Sequence, residues 1–294
     1  MKRNIYLEDI PLDQAKAVFQ EALREADLWR PLSAERISVA EANGRVTASA
    51  IFARQSSPHY HASAMDGYAL RAQDTVGARE THPVQLRLLA DNEDPREITR
   101  PVQAANTGHP LPSWANAVVM IEHTQPVTLA DGSPGIEIRS AVPPWHHVRP
   151  MGEDMVATEL VLPANHKLRP VDLGALSGSG HTTVSVYRQP RVAVIPTGSE
   201  LVPLQNLEED SELHPGQIIE YNSIVLAAQV SDWGGEPVRW PIIPDELALI
   251  EEAVRSAAAD YDLILVNAGS SAGSEDYTAH IVQELGKLLV HGVA

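Results

Sequence analysis

The sequence predicts a multidomain protein of mixed class, an α/β domain joined to a β-rich insert, and three observations predict it. The chain has 294 residues, too many for one ordinary core and suited to two or three domains. After about Leu173, buried strands alternate with amphipathic helices, the pattern of a largely parallel sheet covered on both faces. From about Ile51 to Val142, short strands are punctuated by Pro and Gly, and no long helical pattern interrupts them. Hydrophobic residues make up 44 % of the chain, enough to build real cores and too many for a disordered polymer.

The elements follow in order. The chain opens on a helix with Asp9 and Pro11 at its start, and Leu12, Ala15, Val18, Phe19, Ala22 and Leu23 form a stripe of period 3.6. A second short helix is predicted over Ser38 to Ala42, stopped by Asn43-Gly44. In the β-rich stretch, Val84 to Leu88 and Ile136-Glu137-Ile138 alternate as half-buried strands, whereas Ala117 to Ile121 is apolar throughout and reads as fully buried. Arg191 to Ile195 is a buried strand running into Pro196-Thr197-Gly198. A helix with Asn222 as N-cap follows and ends at Gly234-Gly235. Next come a strand around Val238 to Ile243 and a helix with Leu247, Ile250, Val254 and Ala257 on one face. Leu263 to Val266 is another buried strand, leading into the loop Ala268 to Gly273. A helix carrying Tyr277, Ile281, Val282 and Leu285 closes at Gly286. Leu288 to Ala294 reads as a strand with no turn or polar tail after it, so the chain is expected to be a fragment.

Composition excludes several functions. The net charge of −17 argues against nucleic acid and anionic membranes, both of which require basic patches. No apolar run reaches the roughly 20 residues that span a bilayer, and the N-terminus has no apolar stretch after its basic residues, so it is not a signal peptide. There is no cysteine, hence no disulfide and no thiolate metal site, and a cytoplasmic protein is expected. A small anionic substrate would have to be held by local amides, a few basic side chains or a bound cation, because the global field repels it.

Ligands of open α/β sheets bind beyond the carboxyl ends of the strands, and the loops starting at Thr197 and Gly269 lie at two such ends. Gly269, Ser270, Ser271 and Gly273 read either as an anion nest of backbone amides at a helix N-terminus or as an ordinary strand-to-helix turn with a Ser cap. Asp276 and Asp245 each begin a helix. They read either as caps or as the carboxylates of a hard Mg²⁺ site, since Mg²⁺ takes one or two carboxylates plus waters and substrate phosphates. Asp66 sits in a short polar loop, where an Asp often caps its own turn, and Thr107 either donates its hydroxyl to an anion or closes a turn before Gly108. His59-Tyr60-His61 and His146-His147 read as surface or packing residues rather than zinc ligands, because nothing at suitable spacing supplies a third and fourth ligand. Glu208 to Glu212 reads as a solvated loop, lacking the glycine and oxygen spacing of a calcium loop.

Ser63-Ala64-Met65-Asp66-Gly67-Tyr68-Ala69 resembles the SAMDGYA signature of the MoeA and gephyrin E-domain family, the molybdopterin molybdotransferases. Five further blocks match in order. Thr107-Gly108-His109-Pro110-Leu111-Pro112, running on to Val118-Val119 and Glu122, is similar to its TG-x-P-x-P…VV…E block, and Val148-Arg149-Pro150-Met151-Gly152-Glu153-Asp154 to its VR-x-x-GED. Pro190 to Leu201 resembles PRVA…TGDEL, Gly216 to Asn222 resembles G-x-I-x-D-x-N, and Gly269 to Tyr277 resembles GGVSVG-x-x-DY. Ser199 and Glu220 each replace a usual Asp, Ala268 and Ser270 depart from GGV, and Ala279 stands where many relatives carry a Lys.

The resemblance implies an enzyme that takes adenylated molybdopterin and molybdate, cleaves the pyrophosphate link with Mg²⁺, releases AMP, and leaves molybdenum on the dithiolene. It implies Asp66, Glu200, Asp245 and Asp276 as catalytic residues, with Asp245 and Asp276 on the metal. Ser63, Met65, Thr107, Gly108, Thr197, Gly198, Gly269, Ser270, Ser271 and Gly273 become substrate contacts. Glu200 is then an acceptor for pterin N–H groups or a metal-shell carboxylate, where its residue type alone reads as a solvated turn. The fold implied is a three-layer, MogA-like α/β domain of residues 175–294 with the helix of 1–25. Residues 54–142 form the β-rich insert, 26–53 and 143–174 a linking domain, and a C-terminal β-barrel domain is absent. Relatives are homodimers with the pterin nucleotide bound between protomers. A second reading is a pterin-binding or scaffold module whose catalysis is impaired.

Overall fold

The computed structural model describes residues 9–207, 213–267 and 277–294. The chain divides into two compact units, one of Met1–Glu35 with Ser185–Ala294 and one of Arg36–Val184. The expected mixture of an α/β part and a strand-rich part is what folds.

In the first unit, the described residues form a parallel sheet in the order Glu236–Arg239, Arg191–Pro196, Leu263–Asn267. The middle strand is buried from Val192 to Pro196, as suits an apolar run with a strand on each side and helices over the sheet. The helix Leu247–Asp260 packs Ala253 and Ala257 onto Ala193 and Ile195, with Ile243, Trp240, Tyr261 and Ile264 at the margin. Leu263–Asn267 is less buried than its apolar run predicts, and Leu263 is 44 % exposed, because it is the outer strand among the described residues.

The helix Asn222–Asp232 begins differently from expectation. Asn222 is its first helical residue, not its cap. The capping group is Glu220, whose carboxylate accepts the Ser223 N–H at 2.7 Å and the Ser223 hydroxyl at 2.6 Å. Arg239, itself exposed, covers this buried pair, donating to the Ser223 oxygen at 2.8 Å and pairing with Glu220 at 3.6 Å. The C-terminus falls where predicted: the Gly234 and Gly235 N–H groups donate to the Ser231 and Val230 carbonyls, a Schellman ending.

Three further expectations are corrected in this unit. The first helix, Leu12–Glu25, carries the predicted stripe but buries only Ala15, and Leu12 and Phe19 are about half exposed. Its N-cap, Pro11, makes no side-chain bond, and Asp9 belongs to a short strand before it. The strand expected around Val238 to Ile243 ends at Arg239, leaving Ile243 as a single bridge to Thr197. The final strand shrinks to Gly292–Val293, paired in parallel with Asp9–Ile10. The helix Thr278–Leu285 buries Ile281 and closes at Gly286 as expected.

The second unit is built on a six-stranded mixed sheet in the order Ala117–Met120, Gly67–Leu70, Pro101–Ala105, Val84–Leu88, Pro134–Ile138, Thr124–Thr128. Leu70, Leu86, Val102, Val119, Ile136 and Ile138 make its core. Gly67 is needed at its place, since a Cβ there would overlap the Val119 carbonyl oxygen on the neighbouring strand. The helix expected over Ser38 to Ala42 is a single 3₁₀ turn, Val39–Glu41, behind the strand Ala34–Ser38. The Ser38 hydroxyl caps the turn by accepting the Ala40 N–H at 3.3 Å. A helix that no periodicity announces, Pro170–Gly178, starts with proline at its first position, and Asp172 accepts the Arg169 N–H at 2.8 Å.

Candidate functional site

The predicted site residues that the structure describes fall into two groups, one in each unit. Gly269, Ser270, Ser271, Gly273 and Asp276 lie outside the described residues.

In the first unit, three segments meet at the carboxyl end of the strand Arg191–Pro196. The Thr197 amide and hydroxyl both donate to the Asn267 carbonyl, at 2.9 and 3.3 Å, which ties the loop to the end of the neighbouring strand. On the other side, the Ile243 N–H donates to the Pro196 carbonyl at 2.9 Å and the Gly198 N–H to the Ile243 carbonyl at 3.0 Å. Asp245 does not cap the helix that follows it. Its Oδ2 accepts the Ser199 N–H at 3.0 Å, and its own N–H donates to the Ser199 hydroxyl oxygen at 3.2 Å. Glu200 folds its carboxylate back over Gly198, so closely that a Cβ on Gly198 would stand 2.8 Å from Oε2. Thr197 and Gly198 are buried, while Ser199 and Glu200 are exposed. Glu200 on this turn and Asp245 on the segment after Ile243 therefore both stand at the carboxyl end of the sheet, where ligands of this architecture bind.

In the second unit, the loop around Asp66 is zipped to the loop around Thr107. The Gly108 N–H donates to the Ser63 carbonyl at 2.8 Å and the Ser63 N–H to the His109 carbonyl at 2.9 Å. Ser63 is fully buried, and its hydroxyl donates to the Met65 carbonyl at 2.6 Å, so it shapes the loop from within. Asp66 caps no turn of its own. Its Oδ1 accepts both the Thr107 amide, at 2.7 Å, and the Thr107 hydroxyl, at 3.0 Å. These two bonds favour the ionised form and hold the carboxyl below its usual range, with His109 adding a smaller pull in the same direction. Met65 and Asp66 are exposed at the tip. Gly108 turns the second loop with φ +82 and offers its carbonyl to the Tyr60 hydroxyl at 3.1 Å.

The histidine pairs are packing residues in the geometry. His61 accepts the Met151 N–H on Nδ1 at 2.9 Å and sits edge-on to Trp145, and the His146 and His147 rings lie 3.9 Å apart. Burial pushes His146 below its ordinary range, and His147 and His123 push it further. A cleft of about 540 Å³ opens in the same unit, lined by Glu122, His123, Thr124, Arg139 and His146 among others. None of the predicted site residues lines it. The sequence reading missed Ser199 and Asn267 as parts of the first group. Ser199 stood in a matched block, but a serine in a turn gives no sign of its partner 46 positions on.

Residues 10–180 match the family described as MoeA N-terminal region (domain I and II), and residues 193–294 match that described as Probable molybdopterin binding domain. The chain is similar to a molybdopterin molybdenumtransferase of a Nostoc species, 35 % identical over 86 % of this chain and 57 % of that protein. It is also similar to molybdopterin molybdenumtransferase 2 of Mycobacterium tuberculosis, 36 % identical over 85 % of this chain and 60 % of that protein. It thus spans less than two thirds of the length of these two relatives. A solved structure of the molybdopterin biosynthesis MoeA protein from Pyrococcus horikoshii superimposes with a TM-score of 0.76 at 28 % identity, over 98 % of this chain and 69 % of that one. A second structure of the P. horikoshii protein gives 0.69 at 31 % identity, over 88 % and 66 %.

Proposed function

The chain belongs to the MoeA family, and on that premise we propose that it acts in molybdenum cofactor biosynthesis as a molybdopterin molybdotransferase. The substrates proposed are adenylated molybdopterin and molybdate. Water adds across the anhydride joining the pterin phosphate to AMP, AMP leaves, and molybdate exchanges oxygen, released as water, for the two dithiolene sulfurs. One observation carries this reading: Glu200, on the turn after Thr197, and Asp245, on the segment after Ile243 and bound to that turn through Ser199, both stand at the carboxyl end of the strand Arg191–Pro196.

The roles follow from the chemistry of each group. Glu200, exposed and acceptor-only when ionised, suits the N–H groups of a pterin ring. Thr197 and Gly198 have their donors committed to the fold and shape the floor of the turn. The amides of Gly269, Ser270, Ser271 and Gly273 are proposed to hold a phosphate. The donor set also fits Mg²⁺. Asp245 is fixed through Oδ2, and its Oδ1 accepts no hydrogen bond among the described residues; Asp276 is the proposed second carboxylate. When bound there, Mg²⁺ would neutralise charge on the phosphate oxygens. With a net charge of −17 on the chain, such local neutralisation is what an anionic substrate requires.

We further propose a homodimer in which Asp66 of one copy serves the α/β site of the other. Thr107 holds Asp66 Oδ1 and leaves Oδ2 without a hydrogen bond among the described residues, available to a ligand. Residues 54–142 are proposed as the inserted domain, with 26–53 and 143–174 linking it, since all six strands of the sheet come from residues 67–138. A cytoplasmic location suits a substrate whose dithiolene must stay reduced. The test is chromatographic: chain, adenylated molybdopterin and molybdate are mixed and AMP is followed. Molybdate-dependent AMP release that falls to background in Asp245→Asn is expected. Release indifferent to molybdate, or full activity in the variant, would overturn the reading.

A further inference from the structure

We infer that Ser199 is a positioning residue, holding the Asp245 carboxylate in one rotamer for a divalent cation; the inference rests on the cation reading above. The loop after the strand Glu236–Arg239 returns to the middle strand as a continuation of the parallel ladder. The Ile243 N–H donates to the Pro196 carbonyl, and the Gly198 N–H donates to the Ile243 carbonyl. The next rung of a parallel ladder would run from the Asp245 N–H to the Gly198 carbonyl. That carbonyl instead accepts the Leu201 N–H at 3.3 Å as the chain turns. The Ser199 hydroxyl oxygen takes the missing rung, accepting the Asp245 N–H at 3.2 Å.

In return the Ser199 N–H donates to Asp245 Oδ2 at 3.0 Å. The two bonds close a ring through both side chains, so Asp245 cannot rotate about χ1 without breaking its bond to the Ser199 amide. One carboxylate oxygen is spent on the clamp, and the other accepts no hydrogen bond among the described residues of this half-buried side chain. Asp245 is thereby prepared as a ligand through a single oxygen, and the hydroxyl completes the clamp without adding a negative charge beside the Asp245 carboxylate. Losing a hydrogen-bond partner that orients a metal ligand costs about 10- to 100-fold in metal affinity. Here the amide half of the clamp would survive removal of the hydroxyl, which places the expected effect at about tenfold.

The experiment uses the full chain with Mn²⁺ alone as the probe, titrated by electron paramagnetic resonance. Ser199→Ala should weaken Mn²⁺ binding about tenfold with an unchanged circular dichroism spectrum, and Ser199→Thr, which keeps the hydroxyl, should restore it. Should Ser199→Ala fold poorly, Ser199→Cys replaces it, with the same loss expected from the weak sulfur acceptor. Wild-type affinity in the variant lacking the hydroxyl overturns the inference, as does a folded Ser199→Thr that binds as weakly as Ser199→Ala. The control is Asp245→Ala. If it abolishes binding while Ser199→Ala does not, only the clamp is wrong. Binding that survives Asp245→Ala, or no binding by the wild type, refutes the cation reading and this inference with it.

Discussion

Asp66 and Thr107 are 41 positions apart in sequence, yet a single carboxylate oxygen takes both of the donors that Thr107 offers. That geometry decides the charge of the loop. The amide and the hydroxyl both stabilise the ionised carboxylate, so Asp66 titrates below the ordinary range and stays charged into mildly acidic solution. Thr107→Val removes the hydroxyl and keeps the amide. The Asp66 titration midpoint, read by carbon NMR of its carboxyl, should therefore move up part of the way toward the ordinary value. An unmoved midpoint would show that the hydroxyl does not favour the ionised form. The same change leaves Oδ1 with one donor, so the loop should also lose ligand-independent order at Met65 and Asp66.

Among the elements, the helix Pro170–Gly178 depends most on one side chain. Asp172 is buried, accepts the Arg169 N–H, pairs with the Arg169 guanidinium at 3.0 Å and meets His166 Nε2 at 2.8 Å. The Arg169 hydrogen bonds, followed by that of His166, hold its carboxyl well below the usual range. A depressed folded pKa contributes stability that is complete above the unfolded value of about 4 and is lost as pH falls below it. Asp172→Ala should therefore cost about 2 kcal/mol at neutral pH, combining a lost cap with lost charged hydrogen bonds. The gap from wild type should close as the pH is lowered through the acid range. Urea unfolding at several pH values checks both statements, and a gap that widens in acid would contradict them. The first helix carries a different lesson. Its periodic stripe was legible, but only Ala15 is buried, because period sets which face is apolar and says nothing of what lies against it.

For the whole molecule, the proposed sharing of sites between two copies gives a test by mixing. Asp66→Ala and Asp245→Ala homodimers should each lose AMP release. A heterodimer of the two has one site carrying both lesions and one carrying neither, so it should recover about half the wild-type activity per dimer, by counting over an isologous interface. Confirmed heterodimers without activity would refute the sharing. How much could be read in advance divides along physical lines. The strand expected over Ala117 to Ile121 ends at Met120, and Ile121, expected to be buried, lies 52 % exposed in a 3₁₀ turn. The runs Ala117 to Ile121 and Arg191 to Ile195 nonetheless announced buried strands because burial leaves its mark along the run. The motif blocks pointed to the right family for the same reason, being contiguous. Sequence alone determined the class of the fold, the family, and the loops from which the carboxylates come. Only the tertiary structure decided what each carboxylate does: that Glu220 and not Asn222 caps a helix, that Asp245 answers to Ser199, and that Asp66 answers to Thr107. Those pairings depend on strand register and on which loops the sheet edge brings together, and no local pattern of residues carries that information.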